Sequence, residues 1–143
     1  MNFKPTSNLL LIFTLVLFAS CNENAEPTIL SQGLEGTYSG TFQRFSGETA
    51  GEIALVELNF ENGNWEGTSS IQKYPALCNG TYKIENQEIT FTNACFWTAE
   101  FDWTLILSGT YKIEQSQNTL RFERILGTGE NQIRDVYVFS IAQ

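Results

Sequence analysis

Three cysteines and no histidine bound the side-chain chemistry open to this 143-residue chain. A thiol can attack, ligate a metal, carry a lipid or pair with a second thiol, and its surroundings decide which. Cys78 and Cys95 lack the Cys-x-x-Cys spacing of redox pairs, and no histidine is present to complete the commonest zinc sites or nucleophile–base pairs. Glu100 and Asp102 come nearest to a catalytic carboxylate pair. They stand two apart in an alternating segment that turns both outward, where solvated acids are the ordinary reading. No glycine-rich phosphate loop leads from a strand into a helix. The expectation is a protein that is not an enzyme and uses neither cofactor nor metal.

Cys21 stands apart from the other two. An apolar run of about ten residues, 9–18, leads through Ala19-Ser20 to the thiol, after which the chain turns polar at Asn22-Glu23-Asn24. That length suits the core of an export signal and falls well short of the roughly 20 residues that span a bilayer. Ordinary secretory cleavage after Ala19, with Cys21 left as a free thiol, is one reading. The other rests on Leu17-Phe18-Ala19-Ser20-Cys21, which resembles the bacterial lipoprotein signal. That resemblance implies loss of residues 1–20, a lipid on Cys21 and attachment to an envelope membrane, with the outer membrane as the expected address.

Cleavage there would remove Lys4 and leave 7 basic against 16 acidic side chains, a formal charge of −9. So acidic a chain argues against nucleic acid or an anionic membrane surface as a partner, since both need a basic footprint. Solubility alone would also explain the surplus. Residues 22–33 show no period and read as a flexible tether, and 34–143 make one domain, long enough to bury a single core.

From Leu34 onward the dominant period is two, with no helical face, so the domain is expected to be all-β. The Asn62-Gly63 pair suits a type I′ turn and sets Phe60 opposite Trp65, Leu58 opposite Gly67, Val56 opposite Ser69 and Ala54 opposite Ile71. A turn over 85–88 sets Ile84 opposite Ile89 and Tyr82 opposite Phe91. Continued outward, that register puts Cys78 opposite Cys95 at a non-hydrogen-bonded site, with a Cα separation of about 4.5 Å that admits a disulfide. Closing a loop of this size is worth roughly 3 kcal/mol in the chain-entropy account. A third hairpin over 101–126, turning at 115–118, sets Ile113 opposite Leu120, Tyr111 opposite Phe122 and Leu107 opposite Leu126, with a bulge at Ser108-Gly109. With an opening strand over 36–45 and a last one over 133–141, about eight antiparallel strands follow one another. An up-and-down barrel closes such a meander without exposed edges.

A cysteine after an export core, a short polar tether and Gly36-Thr37-Tyr38 opening a meander of about 110 residues resemble the lipocalin-like lipoproteins of Bacteroidota-type bacteria. The resemblance implies a lipocalin-like barrel. Gly36-Thr37-Tyr38 replaces the Gly-x-Trp of true lipocalins, and in those an arginine late in the barrel packs over the tryptophan. By analogy Arg124 would pack over Tyr38 here.

In an ordered meander, alternate connections share an end. The turns at 62–63, 86–87 and 116–117 fall at one end, and the segments 46–51, 74–77, 96–99 and 127–131 at the other, with the tether joining the first. Large apolar side chains in loops are what a core least requires, and barrel mouths are favoured ligand sites, so Tyr74, Leu77, Phe96 and Trp97 form the candidate binding mouth. Phe96 and Trp97 folded down as a plug is the competing reading. Two functions follow: binding a small apolar or amphipathic ligand in or at the mouth, or binding a protein, as an inhibitor or accessory subunit, whose basic surface suits the acidic domain. The interior discriminates. Tyr38, Phe42, Phe60, Trp65, Tyr82 and Phe91 are predicted inward, as are Trp103, Tyr111, Phe122, Tyr137 and Phe139, and a small barrel has room for packed rings or a ligand, seldom both.

Overall fold

A computed structural model describes residues 33–141 apart from 99 and 117. The export core, Cys21 and all but the last residue of the tether lie outside the described residues. The alternating segments form eight antiparallel strands: β1 (Gly36–Ser46), β2 (Thr49–Glu61), β3 (Asn64–Ser69), β4 (Asn79–Glu85), β5 (Glu88–Phe91), β6 (Gly109–Ser116), β7 (Thr119–Leu126) and β8 (Ile133–Ser140). Each pairs with its neighbour in sequence and β1 pairs with β8, closing the barrel.

Two hairpins have the expected registers. Phe60 faces Trp65, Leu58 faces Gly67 and Val56 faces Ser69, and Asn62 and Gly63 both take positive φ (50° and 77°), as their turn requires. Tyr82 faces Phe91 and Ile84 faces Ile89. Beyond that ladder the Thr92 and Ala94 amides still donate to Thr81 and Asn79, and Cys78 and Cys95 are disulfide-bonded at the next position. Their Cα separation is 6.4 Å, wider than the expected non-hydrogen-bonded pair, because both residues lie past the last ladder bond.

Three expectations need correction. The third hairpin is slipped by two residues, with Ile113 opposite Phe122 and Gln115 opposite Leu120, because β6 runs on to Ser116. A slip of two keeps every side chain on its own face, so the inward set survives. The strand expected from Phe101 begins only at Gly109, where φ is +85°. Leu107 is buried there without a ladder partner, and Trp103 sits exposed in a 3-10 turn, Trp103–Leu105, instead of pointing inward. Segment 46–51 is mostly strand, with Gly47, at φ +58°, letting β1 turn straight into β2. Ile71 lies beyond the end of β3, so it packs on the core without pairing with Ala54.

The core is a continuous stack of rings. Phe91 lies 5.7–6.4 Å from Trp65, Tyr111, Phe122 and Phe60, and Tyr137 lies 4.7–6.3 Å from Phe42, Tyr111, Phe122 and Phe139. These spacings are those of packed aromatic pairs. Each buried ring contributes about 1.5–3 kcal/mol by leaving water, which fills the barrel from β1 round to β8.

Candidate functional site at the long-loop end

The β3–β4 connection (70–78), the β5–β6 connection (92–108) and the β7–β8 connection (127–132) leave the barrel at one end, with the tight β1–β2 turn. The first two are stitched together. Ala76 bridges Ile106 in parallel, the Ala76 amide donates to the Leu105 carbonyl (3.0 Å) and the Leu107 amide to the Ala76 carbonyl (3.2 Å). The disulfide fastens the same pair of segments, and the Lys73 ammonium sits 4.9 Å over the Phe101 ring while donating to the Thr98 hydroxyl.

The four aromatic and apolar residues of the candidate mouth share this end but do different things there. Tyr74 turns into the barrel. Its ring packs edge-on against Phe42 at 5.1 Å, and its hydroxyl accepts from the Arg44 amide and donates to the Glu52 carbonyl. Leu77 is half-buried against the core. Trp97 is also half-buried: its indole donates to Asn93 (3.0 Å) and its ring lies 5.5 Å from Phe101. Phe96 is fully exposed and makes no plug. Leu77 and Trp97 line one depression of about 310 Å³ together with Ile71 and Pro75.

A charged cluster completes the closure of this end. Arg44 of β1 and Arg124 of β7 stand directly across the ladder from Asp135 of β8, all three at inward positions. The Arg44 guanidinium grips Asp135 with two bonds, Nε to Oδ1 at 2.6 Å and Nη2 to Oδ2 at 2.8 Å, and reaches Asp102 through Nη1 at 2.7 Å. Arg124 Nη2 donates to the same Asp135 Oδ2 (2.9 Å) and to the Thr104 carbonyl (2.6 Å), and Nη1 donates to the Ser108 carbonyl (2.7 Å). Two guanidiniums meet two carboxylates, so the cluster is neutral. Removing such charges from water is costly, and the geometry offsets that cost only while the buried carboxylate of Asp135 is there to pair both guanidiniums.

Burial alone would lower the Arg44 pKa, but the hydrogen bonds and charge of Asp135, with Asp102 behind them, raise it above the ordinary value. Burial likewise works to raise Asp102, and the Thr104 hydrogen bonds with the Arg44 charge outweigh it, holding the carboxyl below its usual range. Burial pushes the phenols of Tyr111 and Tyr137 well up, so both stay neutral far into alkali.

This geometry revises two sequence expectations. Glu100 and Asp102 do not share a strand face: Asp102 caps the 3-10 turn by accepting from the Thr104 amide (2.9 Å) and pairs with Arg44. Arg124 does not pack over Tyr38. It lies 4.6 Å over Tyr111 at the long-loop end, whereas Tyr38 sits near the other end, edge-on to Phe60 and Phe139. Alternation marks the members of the cluster, since Phe42-x-Arg44, Phe122-x-Arg124 and Asp135-x-Tyr137 each put a charge on an inward position, but not that they meet.

Among the described residues no helix is long and apolar enough to cross a membrane, and no three His, Cys, Asp or Glu side chains gather as metal ligands would. By architecture the chain is an up-and-down antiparallel β-barrel with a filled interior. No protein-family model matches it, and neither does any curated protein or solved structure.

Proposed function

We propose that this chain is a non-enzymatic envelope lipoprotein of the lipocalin-like kind, tethered by a lipid on Cys21, which binds a partner protein with the exterior of its barrel. The packed interior carries the reading. Nine rings, from Tyr38 in β1 to Phe139 in β8, are buried between the strands, and an eight-stranded barrel so filled leaves no room for a ligand inside. Exposed aromatic side chains then need another use, and Phe96 beside Trp97 has the form of an interface anchor. The depression between Leu77 and Trp97 favours a second reading, a small amphipathic ligand held at the mouth.

A photoreactive residue in place of Phe96, in the full chain in its host cells, tests the first reading. The expected result is a discrete protein adduct that is absent when the same group replaces Lys112, an exposed residue of β6. Adducts to lipid alone, or none, would overturn it. The anchor is tested separately: Cys21→Ala is expected to abolish incorporation of labelled fatty acid, and continued labelling would refute it.

A further inference from the structure

The outer faces of the barrel are unequal in charge. On β6 and β7, Lys112 stands opposite Glu123 and also pairs with Glu114, and Arg121 pairs with Glu114 and Glu123, so each acid there has a cation. The outer face of β2 and β3 is built differently. Three successive outward rungs, Glu61–Asn64, Asn59–Glu66 and Glu57–Thr68, each carry one carboxylate, on alternating strands. None of the three acids is in an ion pair among the described residues. The flanking outward residues supply no cation: Thr37 and Ser39 on β1 and Asn79 and Thr81 on β4 are neutral, Glu35 before β1 is a further acid that accepts from the Asn62 amide, and the lysine of β4, Lys83, is held by Glu85.

These rungs form the floor of a groove. Contiguous depressions run along the outside of β3, sharing Glu57, Asn59, Glu66 and Thr68, and they end at the hollow beside Leu77 and Trp97. The next rung beyond Glu57–Thr68 is Leu55–Ser70, where Leu55 is two-thirds exposed. Lys73, at that far end, is occupied with Phe101 and Thr98. The groove thus has three unneutralised carboxylates followed by an apolar station.

Rungs on one face of a sheet recur about every 6.6–6.8 Å, which is also the spacing of alternate side chains along an extended peptide. We propose that this groove takes an extended segment of a partner protein carrying lysine or arginine at three alternate positions, then an apolar residue at the fourth. The proposal rests on the protein-binding reading above and names its partner's chemistry. Each cation meets one carboxylate rung, and the apolar side chain lies between Leu55 and Trp97.

The test is an amide NMR titration of the purified protein with the peptide Lys-Ser-Lys-Ser-Lys-Ser-Leu, beside a peptide of the same composition with its lysines contiguous. Saturable shifts confined to 55–70 and to Trp97 are expected, with affinity falling at least tenfold in the triple variant Glu57→Gln/Glu61→Gln/Glu66→Gln and not in Glu48→Gln. Equal binding of both peptides, shifts spread over the whole surface, or no binding would overturn the groove. Displacement of the peptide by calcium chloride, with shifts at the same rungs, would assign the face to a cation instead. None of these outcomes bears on the Phe96 adduct, so the groove can fail while the protein-binding reading stands.

Discussion

The two ends of the barrel are closed by opposite means. At the tight-turn end Leu34 is fully buried, and its backbone is clamped by one phenol: the Leu34 amide donates to the Tyr82 hydroxyl (3.1 Å), which donates back to the Leu34 carbonyl (2.5 Å). At the long-loop end Tyr74 and a neutral cluster of two arginines and two aspartates do the same work. An apolar lid loses stability in proportion to the surface it gives up. A charged lid fails abruptly when its buried shared carboxylate, Asp135, is lost, because two guanidiniums are then stranded. Leu34 leads into β1 at the apolar end, and the long connections with Phe96 lie at the charged end.

The largest expected effect comes from breaking the charged lid. Asp135→Ala leaves Arg44 and Arg124 without their shared carboxylate and should cost about 3–5 kcal/mol of unfolding free energy in a denaturant melt. Leu34→Ala, at the other end, should cost about 2–4 kcal/mol. If Asp135→Ala proves milder than Leu34→Ala, the contrast between the ends is wrong. Tyr82→Phe keeps the ring against Phe60 and removes only the clamp, so a loss of about 1 kcal/mol is expected, and no loss would mean that burial alone holds Leu34.

Asp102 gives the smallest effect, since it is half exposed. Its folded pKa is lowered, so the stability it confers is present above its unfolded value and is lost as pH falls through the folded one. Asp102→Asn should therefore be less stable than the parent near neutrality, and the gap should close below about pH 4. A gap that persists in strong acid would remove the charge from the explanation.

Legibility in the sequence followed the strength of the local turn signal. Asn62-Gly63 dictates a turn locally, so the β2–β3 register could be read and the disulfide followed from β4–β5 in the same way. Where the turn was less distinctive, at 115–118, the register slipped by two, and strict alternation hid the error because both registers keep the same faces. Phe101-x-Trp103-x-Leu105-x-Leu107 alternates as a strand does, yet long-range bonds override it. Asp102 caps a 3-10 turn and the Thr104 carbonyl accepts from both arginines. Period-two reading sorts residues by face and says nothing of which charges meet across strands far apart in sequence. Hence Tyr74, Leu77, Phe96 and Trp97 could be assigned to one end, while the cluster that closes that end could not be seen.

The barrel is filled and closed, which under the proposed reading puts any binding outside it. An amide NMR titration of the purified protein with decanoate, a small amphipathic ligand, tests this directly. The amides of Tyr111, Phe122 and Tyr137 are expected not to move, with any shifts confined to the surface near Leu77 and Trp97. Saturable, stoichiometric shifts at those three core residues would contradict it.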